Sequence, residues 1–146
     1  MNYKDWVCII DDERYFLEGF TRLLEWKGYR VRAYMSAEQA IEDILFGDIS
    51  VVVTDVMLPG MTGLELIAKM RKVGCKVPVL LMSAHPDKDV MDLAKELGVV
   101  EFLRKPFRPY EIFIALDKAF MNGKKSTGYD HHIIPQNKRA RVNLFG

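Results

Sequence analysis

Five short apolar runs alternate with five longer amphipathic stretches along this chain, and no other feature of the sequence restricts the fold as strongly. Three of the runs are nearly uninterrupted, as is typical of strands covered on both faces in a parallel sheet. The predicted strands are residues 6–10, 29–33, 51–54, 77–82 and 99–103. The alternation predicts an α/β domain with a parallel sheet and right-handed crossovers.

The intervening stretches repeat their apolar residues with a period near 3.6, which predicts helices. The predicted helices are residues 14–26, a segment that begins after Ser36, and residues 63–72, 88–97 and 109–121. Ser36 and Gln39 have the spacing of a capping box. Gly28, Gly74 and Gly98 stand where helices are expected to stop.

Helical periodicity ends at residue 121, which predicts a domain at residues 1–121 and a basic tail or linker at residues 122–146. The first segment carries a net charge of −3 and the second +4. The acidic first segment is a poor surface for binding nucleic acid. The basic tail is predicted to be a solvated linker, with a weak contact to nucleic acid as the alternative. No run is long enough to span a membrane and no secretory leader is recognisable. With Cys8 expected as a buried free thiol, a cytoplasmic location fits.

Polar residues follow four of the five predicted strands. Asp11 and Asp12 follow the first strand, Asp55 the third, Ser83 the fourth and Lys105 the fifth. Ligands of open α/β sheets bind at the carboxyl ends of the strands. If the first strand lies between the second and third, these residues meet in one pocket. Each alone is explained as a helix cap, a turn residue or a solvated lysine, so the prediction depends on their joint placement.

The predicted pocket combines three carboxylates, a hydroxyl and an ammonium. Clustered carboxylates repel one another, and burying them is costly without a cation. Oxygen ligands favour Mg²⁺, with Mn²⁺ as an alternative, over zinc. An aspartate can act as a nucleophile and form an aspartyl phosphate, with a metal and a lysine stabilising the charge. The pocket is therefore suited to phosphoryl transfer to Asp55.

Four segments resemble the signature blocks of two-component response-regulator receiver domains, in the same order and at similar intervals. They are IIDDE, VVVTDVMLPGMTGLELI, LLMSAH and FLRKPF, and the resemblance covers about residues 5–121. It implies a flavodoxin-like, doubly wound five-stranded sheet of order 2-1-3-4-5 with five helices. It also implies a phosphorelay switch that is not an enzyme, phosphorylated on Asp55 by a sensor histidine kinase or a histidine phosphotransfer protein.

The resemblance implies a set of metal ligands. Asp12 would bind Mg²⁺ directly and Asp11 largely through water, while Asp55 and the backbone carbonyl of Met57 would supply further oxygens. Trp6, at the start of the first strand, is expected to lie next to this site and to report metal binding by its fluorescence.

The resemblance also implies switch residues. Ser83 occupies the switch position and Lys105 the phosphate-contacting position, with a cis bond before Pro106. Phe102 stands where an aromatic rotamer reports activation, and without a hydroxyl it must act by packing. Met57 and His85 would control the access of water to the phosphate, although His85 can equally be a surface histidine.

The last predicted helix has a second apolar stripe beside its core-facing arc. This stripe consists of Tyr110, Ile114 and Met121. The receiver resemblance favours a partner surface or a homodimer through helix 4, strand 5 and helix 5, and scattered surface apolarity is the alternative.

Two other functions remain open. The chain can be the receiver portion of a DNA-binding transcriptional regulator, whose output domain these residues do not contain. It can also be a small Mg²⁺-dependent phosphohydrolase that forms an aspartyl phosphate, similar in chemistry to haloacid-dehalogenase-like phosphatases. Those enzymes carry their nucleophile on the first strand in a DxD pattern, whereas the candidate nucleophile here follows the third strand.

Overall fold

A parallel sheet of five strands organises residues 6–125, the part of the chain that the computed structural model describes. The strands are β1 Trp6–Ile10, β2 Arg30–Tyr34, β3 Ile49–Asp55, β4 Val79–Ser83 and β5 Glu101–Arg104. Their order is β2-β1-β3-β4-β5, and all neighbouring pairs are parallel. The predicted α/β class and strand order are confirmed.

Within residues 6–125, five helices connect and follow the strands. They are α1 Arg14–Lys27, α2 Ala37–Phe46, α3 Gly63–Lys72, α4 Lys88–Glu96 and α5 Pro109–Lys125. The predicted end of α5 at Met121 is too early, because the helix continues to Lys125. Residues 126–146 of the predicted tail lie outside the described residues.

Alternation along β1 divides the core into two layers. Cys8 and Ile10 pack with α2 and α3, whereas Val7 and Ile9 pack with α1 and α5. Apolar residues on both faces explain why the central strands have nearly uninterrupted apolar sequences. Cys8 is buried and free, as predicted, and burial raises the pKa of its thiol.

Helix ends agree only partly with the sequence signals. Gly28 ends α1 in the left-handed conformation, with φ of 108°, and the Ser36 hydroxyl accepts a hydrogen bond from the Gln39 amide at the start of α2. The complete capping box forms at α3 instead, where Thr62 and Glu65 exchange hydrogen bonds.

Arg71 joins three segments at the far end of the sheet from the predicted pocket. Its guanidinium donates to the backbone carbonyls of Leu97, Cys75 and Val77 at 2.9, 2.9 and 3.0 Å. We expect Arg71→Ala to lower the free energy of unfolding by about 2–3 kcal/mol, because three part-buried carbonyls lose the hydrogen bonds that a charged donor gives them. Urea denaturation measures this change. Lys72→Ala, an exposed neighbour on α3, is the control, and equal losses in the two variants would contradict the tethering role.

Candidate functional site

The carboxyl ends of four strands bring the predicted site residues together. Asp11 follows β1 and donates its backbone amide to the Tyr34 carbonyl of β2 at 3.1 Å. Asp55 is the last residue of β3 and is paired in register with Met82 of β4. Lys105 follows β5, and its backbone amide donates to the Ser83 carbonyl at 2.9 Å. The hydrogen bonds between neighbouring parallel strands therefore fix the backbone position of each of these residues.

Lys105 links two of the three predicted carboxylates. Its ammonium donates to Oδ2 of Asp55 at 2.7 Å and also to Oδ2 of Asp11. The three side chains are largely shielded from water, with exposed fractions of 15% for Lys105, 13% for Asp55 and 1% for Asp11. Charge attraction is stronger here than between exposed groups, because little water screens it.

Backbone amides orient the same two carboxylates. The Glu13 amide donates to Oδ1 of Asp11 at 2.8 Å, and the Met57 amide donates to Oδ1 of Asp55 at 3.0 Å. Each carboxylate is therefore held by an amide at one oxygen and by the ammonium at the other. Their orientation is set before any ligand binds.

Burial and ion pairing act against each other at this pair. Burial raises the pKa of the Asp11 carboxyl, and hydrogen bonds from Lys105 and the Glu13 amide offset only part of the increase. Burial lowers the pKa of Lys105, but the hydrogen bonds that its ammonium donates to Asp11 and Asp55 outweigh this effect, so the lysine pKa lies above its usual value. The pocket carries two carboxylates for one ammonium and has capacity for a further cation.

The oxygen donors of the pocket fit a hard divalent cation. The Lys105 ammonium lies between the carboxylates of Asp11 and Asp55 and supplies a positive charge there. Asp12, the next residue along the chain after Asp11, is exposed. Within residues 6–125 no group of three acidic, histidine or cysteine side chains is close enough together to hold a metal. Since Mg²⁺ uses few carboxylates and keeps several waters, the donor set is chemically suitable.

Comparison with known proteins decides the family. A sequence model described as the response regulator receiver domain matches residues 7–117 of this chain. The chain belongs to this family. Receiver domains are signalling switches of two-component systems that interact with histidine kinases or phosphotransfer proteins, and the family generally binds Mg²⁺.

Individual relatives agree with the assignment. The response regulator SaeR of Staphylococcus aureus is 27% identical over 130 residues, which are 89% of this chain and 55% of SaeR. The receiver thus spans about half the length of the curated relatives it matches. A receiver domain protein from Clostridium thermocellum is 28% identical with a TM-score of 0.77, covering 83% of this chain and 98% of that chain. A CheY-like receiver from Methanospirillum hungatei has a TM-score of 0.78 at 21% identity over 83% and 97% of the chains, and shares the fold.

The predicted switch residues of the receiver differ in exposure. Ser83 is buried, and its hydroxyl accepts a hydrogen bond from the His85 amide at 3.1 Å. Phe102 is partly buried against the core layer of α2 and α3. The side chains of Met57 and His85 are exposed, with 72% of Met57 accessible. The predicted roles in switching and in water access remain predictions.

The expected position of Trp6 is wrong. Trp6 opens β1 at the amino end of the strand, whereas the pocket lies at the carboxyl end, after Ile10. Its ring packs against the guanidinium groups of Arg30 and Arg32, at 4.0 and 4.4 Å from the ring centroid. A residue that opens a strand and one that follows it are separated by the full strand length, so Trp6 fluorescence is not a direct reporter of the pocket.

Two neighbours of the receiver site were missed by sequence analysis. Glu38 of α2 accepts a hydrogen bond from the Met61 amide at 3.1 Å and so braces the loop after Asp55. The Lys105 ammonium lies 4.1 Å from the centre of the Phe16 ring. Neither contact had a signal in the spacing of residues, and Phe16 was simply one of the apolar positions of α1.

The raised pKa of Asp11 predicts a pH-dependent change in stability. Since the folded pKa exceeds the unfolded value of about 3.9, the stability linked to Asp11 is fully present below that value and is lost as pH rises through the folded pKa. In metal-free protein at pH 7, we expect Asp11→Asn to raise the free energy of unfolding by about 1 kcal/mol. The gain should vanish near pH 4. Urea denaturation in EDTA measures both, with exposed Asp12→Asn as the control, and a pH-independent gain would contradict the explanation.

Proposed function

We propose that this receiver is a phosphoryl-accepting switch of a two-component phosphorelay and that Asp55 is its phosphoacceptor. The observation that carries the proposal is the 2.7 Å contact between the Lys105 ammonium and Oδ2 of Asp55, in a pocket formed by four strand ends. A carboxylate oxygen of Asp55 attacks the phosphorus of a phosphohistidine. The new O–P bond forms as the N–P bond to the partner histidine breaks.

Each residue of the pocket has a separate role in the proposed transfer. The Met57 amide keeps the Asp55 carboxylate in one orientation, which supplies the positioning that phosphoryl transfer requires. Lys105 is already at Asp55 and transfers its contact from the carboxylate to a phosphoryl oxygen. In this proposal Ser83, which is buried, donates its hydroxyl to a second oxygen and, with partly buried Phe102, carries the change to β5.

Asp11, Asp12, Asp55 and the Met57 carbonyl would hold Mg²⁺, or Mn²⁺ in its place. When bound, the cation offsets the charge that develops on the transferred group. In this proposal the exposed side chains of Met57 and His85 control the access of water to the phosphate. The pocket as a whole assists both its own phosphorylation and its dephosphorylation.

The proposed output surface is the exposed apolar stripe of α5. Tyr110, Ile114 and Met121 are 56%, 63% and 57% exposed. A groove next to this stripe is lined by Phe102, Tyr110, Ile114 and Lys118. Because Phe102 belongs both to the switch and to the groove, a change in its packing would alter the groove. This surface would dock a partner, or a second receiver through α4, β5 and α5.

Under this proposal the phosphorelay acts in the cytoplasm. Among the helices of residues 6–125, none has the length and apolar character of a membrane span. SaeR is longer than this chain. This difference in length favours a second candidate function, a receiver that controls a separate output domain such as a DNA-binding one.

Intact mass spectrometry after incubation with phosphoramidate and Mg²⁺ tests the main proposal. One labile phosphoryl group is expected, and an unchanged mass would overturn the proposal.

A further inference from the structure

The ammonium of Lys105 has a third neighbour besides its two carboxylates. Its Nζ lies 4.1 Å from the centre of the Phe16 ring, well inside the distance of about 6 Å at which a ring face attracts a cation. The other two neighbours are Oδ2 of Asp11 and Oδ2 of Asp55. A lysine ammonium has three hydrogens to donate, so two carboxylates and one π face account for all of them.

Two other rings hold Phe16 in place. Its centroid is 5.4 Å from that of Phe20 and 6.1 Å from that of Phe107, and Phe20 and Phe107 are themselves 5.6 Å apart. Phe16 and Phe107 meet edge to face, which is a favourable arrangement of aromatic rings. These three rings join α1 to the segment that follows Lys105. Packing alone therefore fixes the Phe16 ring, and the ammonium meets a preformed surface.

We propose that Phe16 is a positioning residue whose ring face holds the Lys105 ammonium beside Asp55. The inference rests on the phosphoryl-accepting function proposed above and adds a residue to it. The ring attracts the ammonium without occupying a carboxylate oxygen. When Asp11 turns to a divalent cation, the ring keeps the ammonium in the pocket, where it remains available to the phosphoryl group on Asp55.

Loss of the ring face has two opposite consequences. An ammonium that is held less firmly competes less with Mg²⁺ for Asp11 and Asp55, so Mg²⁺ binding becomes tighter. The same ammonium is less often present to contact a phosphoryl group, so activation by beryllofluoride, a phosphoryl mimic, becomes weaker. General damage to the pocket would weaken both, which makes the opposite directions diagnostic.

Three variants separate the π face from simple packing. Phe16→Leu keeps an apolar side chain without a ring, and Phe16→Tyr keeps the ring. Phe20→Leu removes another ring of the same cluster and leaves the Phe16 ring, which the Lys105 ammonium contacts, unchanged. We expect Phe16→Leu to bind Mg²⁺ about fivefold more tightly and to need about fivefold more beryllofluoride for half activation, within the range of cation–π effects. Phe16→Tyr should stay within about twofold of wild type. Phe20→Leu leaves the Phe16 ring face in place with Phe107 still packed against it, so it should change both equilibria less than Phe16→Leu does.

NMR of the metal-free protein provides a readout that does not depend on phosphorylation. A lysine held over a ring face has methylene protons shifted upfield by the ring current, so the Lys105 Cε protons should be shifted in wild type and Phe16→Tyr and near random-coil values in Phe16→Leu. The Lys105→Ala background closes a double-mutant cycle, in which Phe16→Leu should no longer change Mg²⁺ affinity.

The outcomes distinguish this inference from the proposed function. Absence of the ring-current shift in wild type, or an effect of Phe16→Leu that persists without Lys105, would overturn the role of Phe16. If wild type is labelled by phosphoramidate and Phe16→Leu leaves both equilibria unchanged, only the role of Phe16 fails. If wild type is not labelled, the proposed function fails, and the Lys105 shifts still decide where the ammonium lies.

Discussion

Asp55→Asn is expected to lose labelling by phosphoramidate and Mg²⁺ by more than about 100-fold, because a neutral carboxamide is a far weaker nucleophile than a carboxylate. The variant should still fold. Its amide oxygen can accept the hydrogen bond that the Met57 amide donates to Oδ1 of Asp55, and Lys105 keeps its contact with Asp11. A loss of labelling can therefore be assigned to chemistry. Intact mass spectrometry follows the added phosphoryl group over time.

Asp92→Asn is the matched control for this experiment. Asp92 lies exposed on α4, so the same change of one oxygen to nitrogen should leave labelling at the rate of wild type. Heat denaturation of both variants checks that they are folded. Stoichiometric labelling of Asp55→Asn at the rate of wild type would refute Asp55 as the acceptor, and peptide mapping would then identify the true site.

The convergence of the pocket was predictable because of a general property of parallel sheets. The carboxyl ends of all strands point to one edge, so polar residues that follow several strands must meet there once the strand order is known. Asp55, Ser83 and Lys105 are all at this edge in the structure. The receiver resemblance supplied the order, since the apolar runs alone do not say which strands are neighbours.

The partners of Lys105 were only half predicted. The sequence predicted one pocket for Lys105 and the three aspartates, but it did not indicate that the ammonium contacts Asp11 as well as Asp55. Two adjacent aspartates look equivalent in a sequence, and only the path of the chain after β1 turns Asp11 inward and leaves Asp12 exposed. Contacts between side chains of different elements, such as Phe16 with Lys105, follow from helix orientation and have no local signal.

Helix boundaries were also only partly predictable from the sequence. The spacing of Ser36 and Gln39 indicated a capping box, yet the complete box forms between Thr62 and Glu65, in a segment where no box was predicted. A cap spacing permits the reciprocal hydrogen bond without requiring it, because the side chain of the third helical residue has other rotamers. The path of the chain before each helix decides whether both halves form.

Lys105→Ala is expected to destabilise the metal-free protein and to make Mg²⁺ bind more tightly. Removing the ammonium leaves Asp11, which is 1% exposed, and Asp55, which is 13% exposed, without their shared cation. We expect the free energy of unfolding to fall by about 2–4 kcal/mol, since breaking a buried ion pair leaves an uncompensated charge. Mg²⁺ should recover most of this loss by linkage. Urea denaturation with EDTA and with Mg²⁺ measures both effects.

Lys118→Ala is the control for the loss of a lysine ion pair. Lys118 pairs with Glu101 at 3.0 Å, but both side chains are substantially exposed, so its removal should cost less than about 1 kcal/mol with and without Mg²⁺. If Lys105→Ala lost no more stability than this control, or if Mg²⁺ stabilised it no more than wild type, the shared-cation role of Lys105 would be wrong.

Lys105→Ala should also separate phosphorylation from the response of the switch. The phosphorylated pocket holds a phosphoryl dianion beside the carboxylates, and a divalent cation cannot offset all of this charge. The backbone amide of Lys105 donates a hydrogen bond to the Ser83 carbonyl. A shift of the Lys105 ammonium toward the phosphate would therefore displace the ends of β4 and β5. Without it, Asp55 is still labelled, but Ser83 and Phe102 are not drawn into the activated arrangement. Lys105→Arg should rescue poorly, because the planar guanidinium is larger and differently shaped.

NMR before and after beryllofluoride tests this separation. In wild type, amide shifts are expected to change around Asp55, Ser83, Phe102 and α5, whereas in Lys105→Ala they should change around Asp55 and remain near their starting values at Ser83, Phe102 and α5. The shift changes at Asp55 show that beryllofluoride has bound, so unchanged shifts in the other regions cannot be attributed to an empty site. If Lys105→Ala reaches the same activated shifts as wild type in all of these regions, the ammonium does not connect the phosphoacceptor to the output surface.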